Sequence, residues 1–143
     1  DGSFGEIRCL RLFNDTIYGF QDKGIFVVNF NSRVQIPTSD NTPIEITNNY
    51  RVDGKKYIST EIGTTNKWSI RETANGLYFI DSLSKAIYRV GPGGLTNLTD
   101  MRGFHSWAIN SINGSKDWSP NNYDNFTTQY DKIHDNVYFI NSD

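Results

Sequence analysis

Cysteine and long apolar runs are both scarce in this chain of 143 residues. Its one cysteine, Cys9, excludes an internal disulfide, and its alternating sequence context is typical of a half-buried apolar side chain. The longest apolar run covers only residues 25–28, whereas a membrane-spanning helix needs about 20 apolar residues. The sequence therefore predicts neither a disulfide scaffold nor a membrane span.

A strong charge of either sign is also missing. The chain has 14 lysines and arginines against 16 aspartates and glutamates, which gives a formal net charge of −2. Proteins that bind nucleic acid mainly through phosphates present a clustered excess of positive charge. The composition therefore argues against a nucleic-acid partner.

Residues with catalytic or metal-binding chemistry are few and scattered. The two histidines, His105 and His134, favour structural and solvated turn roles respectively, and no cluster has the spacing of metal ligands. Glu45, Glu61 and Glu72 are not paired by sequence spacing in the way a glycosidase needs. The sequence contains no nucleophile motif and no phosphate-binding loop. We therefore predict no catalytic residue, no cofactor and no metal ion, and we expect that the chain is not an enzyme.

Aromatic residues, by contrast, make up 14% of the chain, and many lie in hairpin-like segments. The strongest of these segments covers residues 68–81, where Asn75-Gly76 separates two runs rich in aromatic and aliphatic residues. An Asn-Gly pair in this setting predicts a type I′ hairpin turn. Residues 10–20 and 130–141 repeat the pattern 60 positions earlier and later without a gap. The shared positions are an aliphatic residue followed by a tyrosine, at Ile17-Tyr18, Leu77-Tyr78 and Val137-Tyr138.

The similarity extends beyond the hairpins. Asp15, Asn75 and Asp135 fill the same position of the aligned turns, and residues 21–28 match residues 81–90 after a length difference of two. A fixed period of this size is typical of repeated supersecondary units. Because strand-like segments dominate and no window of 11 residues has a helical period, the sequence predicts an all-β protein. Residues 101–112 accordingly read as a strand or an irregular segment.

Four short strands per unit are typical of a propeller blade, so we predict a propeller-like array of units of about 60 residues. The units are 1–60, 61–120 and the partial unit 121–143 of a single β domain. Because the chain holds little more than two periods, we expect it to be a fragment of a longer chain. A β-sandwich with a coincidental repeat is the alternative.

Two aromatic residues in a polar segment are candidates for contact with a ligand. Trp118 and Tyr123 lie within residues 110–125, which we predict to be a long surface loop. A flat aromatic face at such a place can stack on a sugar ring or pack against a partner protein. Trp68 and Trp107 fit better in the core or between neighbouring blades.

A resemblance to a known family rests on two segments. The segment from Tyr130-Asp131 to Val137-Tyr138-Phe139 and the upstream residues 103–107 resemble a repeated element of large tail-associated structural proteins of crAss-like and podovirus-like bacteriophages. The resemblance covers roughly residues 70–143. It implies a β-propeller-like repeat region with a non-enzymatic role in the tail or muzzle of a virion.

Two functions remain open from the sequence, while a third, a glycan hydrolase whose catalytic carboxylates lie outside this stretch, has no positive support in it. The first is a structural and interaction module of a large assembly, with other subunits or neighbouring repeats as partners and the virion tail as its location. The second is a carbohydrate-binding, lectin-like propeller on a cell surface or in a secreted protein, with a host-surface glycan as partner. The first does not require equivalent sites in each repeat, whereas the second predicts them.

Overall fold

A computed structural model describes residues 2–31, 34–36, 44–46, 51–103, 105–112 and 126–141. It contains twelve strands within these residues, together with two α-helices and two 3-10 helices. The strands are β1 (Ile7–Phe13), β2 (Thr16–Gln21), β3 (Gly24–Asn31), β4 (Val34–Ile36), β5 (Ile44–Ile46), β6 (Arg51–Ser59), β7 (Arg71–Thr73), β8 (Gly76–Asp81), β9 (Ala86–Gly91), β10 (Gly94–Asn97), β11 (Phe126–Asp131) and β12 (Asn136–Asn141). The helices are α1 (Leu98–Arg102) and α2 (His105–Ser111), with 3-10 helices at Gly2–Phe4 and Lys67–Ser69.

The strands form small antiparallel sheets. Strands β1, β2, β3 and β6 form the first sheet, in that order, and β4 and β5 pair with each other as a separate hairpin between β3 and β6. Strands β7 to β10 form the second sheet, and β11 and β12 form a third hairpin. The described chain is therefore mostly β, in line with the predicted class.

The first and second sheets have the same pairing register. Leu12 lies opposite Ile17 in the first sheet, and Glu72 lies opposite Leu77 in the second. Ile17 in turn lies opposite Val28, as Leu77 lies opposite Val90. Corresponding residues are 60 positions apart in the first two strands and 62 apart in the third, because the intervening loop is two residues longer in the second sheet.

A type I′ turn is present in the first hairpin, at Asn14-Asp15, and not in the second. The type I′ turn predicted at Asn75-Gly76 is therefore wrong. Asn14 and Asp15 both have positive φ, at 46° and 58°, as this turn requires. In the second hairpin the loop residues precede Gly76, which is already part of β8. A Cβ at Gly76 would lie 2.7 Å from the carbonyl oxygen of Val90, so the glycine allows the close approach of β9.

The third hairpin also differs from its alignment. Asp131 pairs with Asn136, which leaves a loop of four residues, whereas the first two hairpins have loops of two. The ungapped match across this loop is therefore wrong, although Asp135 directly precedes the second strand of its hairpin, as Asp15 and Asn75 do. The two additional residues lie in the exposed loop at 132–135, and the pairing of β11 with β12 is uninterrupted.

Helices replace the strand or irregular structure predicted for residues 101–112. Asn97 caps α1 by accepting a hydrogen bond from the Asp100 amide at 3.2 Å, and Gly103 ends α1 with a φ of 70°. Helix α2 buries Ala108, and Ile112 is buried just after it. At five and seven residues, the helices are too short to show a period over 11 residues. No helix in the described ranges has the length and apolar character needed to cross a membrane.

The core consists of two clusters on opposite faces of the second sheet, since alternate residues of a strand point to opposite faces. The first cluster packs the first sheet against the second, and the rings of Phe20 and Phe79 meet edge to face at 5.2 Å. The second cluster joins Ile80 and Ile87 to the helices and to Phe126 of the third hairpin. The sheets therefore pack in series, in chain order.

Candidate interaction groove

A groove of about 720 Å³ lies where the first strands of the three successive sheets come together. Strand β1 contributes one residue, β7 and its flanking residues contribute five, and β11 with its following loop contributes two. The lining residues are Arg11, Ile70, Arg71, Glu72, Thr73, Ala74, Tyr130 and Lys132. We refer to this feature as the axial groove.

The axial groove has an excess of positive charge. Arg11, Arg71 and Lys132 line it together with one anionic side chain, Glu72, and all four residues are exposed. Arg11 and Arg71 occupy the same register position, each opposite a tyrosine of the second strand in its sheet. The sequence analysis missed this pair, although both arginines lie at the same position of the 60-residue alignment.

Tyr130 connects the third hairpin to the wall of the axial groove. Its hydroxyl donates a hydrogen bond to Oδ1 of Asp135 at 2.8 Å. This bond raises the pKa of Tyr130 above its ordinary value, and a hydrogen bond from the backbone of Ala74 acts in the opposite direction. Tyr130 therefore stays neutral, and its hydroxyl lies between the loop of the third hairpin and the turn of the second.

The histidines lie on the surface, each beside a carboxylate. Nδ1 of His134 lies 2.6 Å from Oδ2 of Asp131, and this contact lowers the pKa of Asp131. Nδ1 of His105 lies 3.7 Å from Oδ1 of Asp100, with both side chains exposed. In the described part of the chain, no group of three or more His, Cys, Asp or Glu residues could hold a metal ion.

The comparison with known proteins concerns the whole chain. The family described as Crassvirus muzzle protein matches residues 1–143. The chain belongs to this family. It is 48% identical to the muzzle protein of the Bacteroides phage crAss001 over 143 residues, which are 100% of this chain and 10% of that protein. The chain thus spans about a tenth of the length of its curated relative.

Membership in the muzzle family bears on the functions that the sequence left open. A muzzle protein of a crAss-like phage is a component of the virion, so the predicted location in the virion is confirmed. The family also supports a structural role in a phage assembly. The lectin-like alternative receives no support from either match.

Of the aromatic residues singled out in the sequence, the described ones, Trp68 and Trp107, do not line the axial groove. Trp118 and Tyr123 of this muzzle-family chain lie outside the described residues, so their contact with a glycan or partner stays a prediction. Trp68 and Trp107 are 56% and 45% exposed, so they are not core residues, and their alternative place between neighbouring blades stays a prediction. Trp68 packs instead under the Lys67 ammonium, which lies 4.9 Å from the ring centroid.

Proposed function

We propose that this chain is a non-enzymatic structural module of the virion muzzle, built from β-sheets that pack in series as propeller-like blades. The observation that carries the proposal is the shared register of the first and second sheets together with their face-to-face packing. The units are those of the sequence alignment, 1–60, 61–120 and 121–143. Each sheet buries its apolar face on the next, so the module is a rigid part of a larger assembly.

The positions of the first and last strands support a propeller-like arrangement. In a propeller, four-stranded antiparallel blades surround a central channel, with one edge strand of each blade at the centre. Here β1, β7 and the end of β11 share the axial groove, while β6 and β10, the opposite edges of their sheets, contact each other. A β-sandwich would instead bury one face of each sheet, and the second sheet here buries both.

The axial groove supports contact with a protein rather than catalysis. Its charged residues are exposed and predominantly cationic, and such a surface fits an acidic segment of a neighbouring virion subunit. The predicted surface loop at residues 110–125, of which residues 113–125 lie outside the described residues, is proposed to provide further contacts. Host glycan binding through Trp118 and Tyr123 is the competing function.

Imaging of the intact muzzle by cryo-electron microscopy tests the architecture. We expect successive four-stranded sheets around a common axis, with Arg11 and Arg71 facing that axis. Two sheets packed as an isolated sandwich would overturn the proposal.

A charge reversal tests the role of the axial groove. We expect Lys132→Glu to reduce the amount of muzzle protein recovered in purified virions, measured by quantitative mass spectrometry. Lys23→Glu, at an exposed lysine outside the axial groove, is the matched control and should leave incorporation unchanged. Glycan-array binding that is lost in Trp118→Ala would favour the lectin-like function instead.

A further inference from the structure

One face of the first sheet carries apolar residues that are open to solvent. Leu10 and Leu12 are 54% and 60% exposed, and Ile17 and Val28 are only half-buried. Leu12, Ile17 and Val28 lie opposite one another on adjacent strands, so their side chains share one face. We call the surface formed by Leu10, Leu12, Ile17 and Val28 the outer face of the first sheet.

The corresponding face of the second sheet is buried. It packs against the first sheet, and its members at three matched positions are at most 4% exposed. The matched pairs are Leu10 with Ile70, Ile17 with Leu77 and Val28 with Val90. These three positions are covered by the preceding sheet in the second unit and lack such a cover, within the described residues, in the first, whereas Glu72, the counterpart of Leu12, is exposed.

Among the described residues, side chains of the first sheet and of the 3-10 helix Gly2–Phe4 cover only the adjoining part of this face. The Phe26 ring occupies the space above Gly19, where a Cβ would lie 2.1 Å from Cζ of that ring. The Lys55 ammonium lies 5.2 Å from the Phe26 ring centroid and 5.0 Å from that of Tyr57, and the ring of Phe4 packs on Tyr57 at 4.8 Å. The covered part is the side nearest β6, and from β1 to β3 no described residue covers the outer face in this way.

We propose that the outer face of the first sheet binds the apolar face of a further antiparallel β-sheet from the same muzzle polypeptide. This inference rests on the proposed function, because it extends the serial packing of the module by one sheet. The incoming face should carry aromatic and aliphatic residues, as the first sheet does where it meets the second through Tyr18, Phe20 and Ile25. Burial of Leu10, Ile17 and Val28 would then match that of their counterparts.

Two observations favour the same polypeptide as the source of that sheet. The contacts between sheets in this chain join units that are consecutive in sequence, the first with the second and the second with the third hairpin. The curated relative is also far longer, since the matched region is 10% of it. A sheet on the same chain docks without the loss of translational freedom that a separate molecule undergoes.

The test must distinguish a sheet of the same polypeptide from a second copy of the chain as the occupant of the outer face. The third hairpin exposes Tyr138 and Ile140 at 50% and 49%, and they correspond to Tyr78 and Ile80 in the alignment of the hairpins. Two copies could therefore associate head to tail through these residues and the outer face. Such association would depend on concentration, whereas docking within one polypeptide would not.

Peptide-resolved maleimide labelling of the full-length muzzle protein tests the proposal. The probe variant is Leu10→Cys, and the control is Ile133→Cys in the loop of the third hairpin, where Ile133 is 89% exposed. Both variants carry Cys9→Ala, so that the native thiol beside Leu10 does not react with the maleimide. We expect labelling at Leu10→Cys to be about tenfold slower or more than at the control, because it requires local opening. In the 143-residue chain alone, both variants should react at similar rates.

Two outcomes would overturn the proposal, and a third would separate it from the proposed function on which it rests. Equal labelling of the two variants in the full-length protein would show that the outer face is uncovered. Protection of Leu10→Cys in the 143-residue chain that disappears on dilution would identify a second copy as the occupant. If Leu10→Cys is protected in the full-length protein but imaging shows no common axis, the docked sheet is supported and the propeller-like architecture is refuted.

Discussion

Asn66 and Phe126 are joined by a buried hydrogen bond across 60 positions of the chain. Nδ2 of Asn66 donates to the carbonyl oxygen of Phe126 at 2.9 Å. Oδ1 of the same side chain accepts from the Trp68 amide, also at 2.9 Å, and so caps the 3-10 helix Lys67–Ser69. A single amide group therefore links the segment that enters the second sheet to the first residue of β11.

Asn66→Asp should destabilise the fold. The substitution keeps an acceptor for the Trp68 amide but places a carboxylate oxygen against the Phe126 carbonyl. We expect a loss of about 1–3 kcal/mol in the free energy of unfolding, the typical cost of an unsatisfied buried polar group. Urea denaturation measures it. Gln129→Glu, the same chemical change at an exposed position of β11, should stay within about 0.5 kcal/mol, and an equal loss there would contradict the assignment.

Asp15→Gly should stabilise the first hairpin. Asp15 has a φ of 58°, and glycine adopts this region without the strain that a side chain adds. Because glycine also gains entropy in the unfolded chain, the expected net increase is about 0.5 kcal/mol in the free energy of unfolding. Asn75→Gly is the contrast, since Asn75 has no positive φ and should lose stability. Similar losses in both variants would argue against a type I′ turn at residues 14–15.

Gly63→Ala should weaken the connection between the two sheets. A Cβ at Gly63 would lie 2.1 Å from the carbonyl oxygen of Gln21, which also accepts a hydrogen bond from the Thr64 amide at 2.9 Å. Because a backbone atom cannot move away as a side chain can, we expect a loss of about 1–3 kcal/mol on thermal or chemical unfolding. Gly93→Ala has open space around the added carbon and should be nearly neutral.

Burial of Asp81 should make stability depend on pH. Burial raises the pKa of Asp81 above its ordinary value of 3.8, although hydrogen bonds, among them one from the Leu83 amide, act in the opposite direction. The folded state therefore holds the proton more tightly than the unfolded state, and this contribution to stability falls as pH rises through the folded pKa. As the pH falls from about 7 to about 3, the free energy of unfolding of the wild-type chain should increase relative to that of Asp81→Asn. A pH-independent difference in unfolding free energy would refute this.

The strands were largely predictable because local pattern and tertiary structure agree. Alternation alone places β1 at Ile7–Phe13, and the apolar run at residues 25–28 falls in β3, which pairs on both edges. The helices were missed because each is shorter than the window that reveals a helical period. Their signal lay in capping, with Asn97 before α1 and Gly103 after it. The axial groove was not predictable, since it exists only where three distant strands converge.

The loop of the third hairpin was misaligned although the sequence carries a signal for it. Asp81 and Asp131 each directly precede a loop of four residues. Oδ1 of each accepts an amide hydrogen bond at 2.9 Å, from Leu83 and Ile133 respectively. The two loops also share a φ of 54° at one residue each, Lys85 and Asp135. The Val137-Tyr138 match in β12 favoured the ungapped alignment and hid this similarity.

The second sheet contributes buried residues to both hydrophobic clusters, whereas the first sheet and the third hairpin each contribute to one. Detachment of the third hairpin leaves the larger cluster intact, but opening of β8 removes Leu77 and Phe79 from one cluster and Ile80 from the other. Amide hydrogens of β12 should therefore exchange with solvent through partial opening, and those of β8 only through global unfolding. The lifetime of the folded chain therefore depends on the opening of the second sheet rather than on that of the third hairpin.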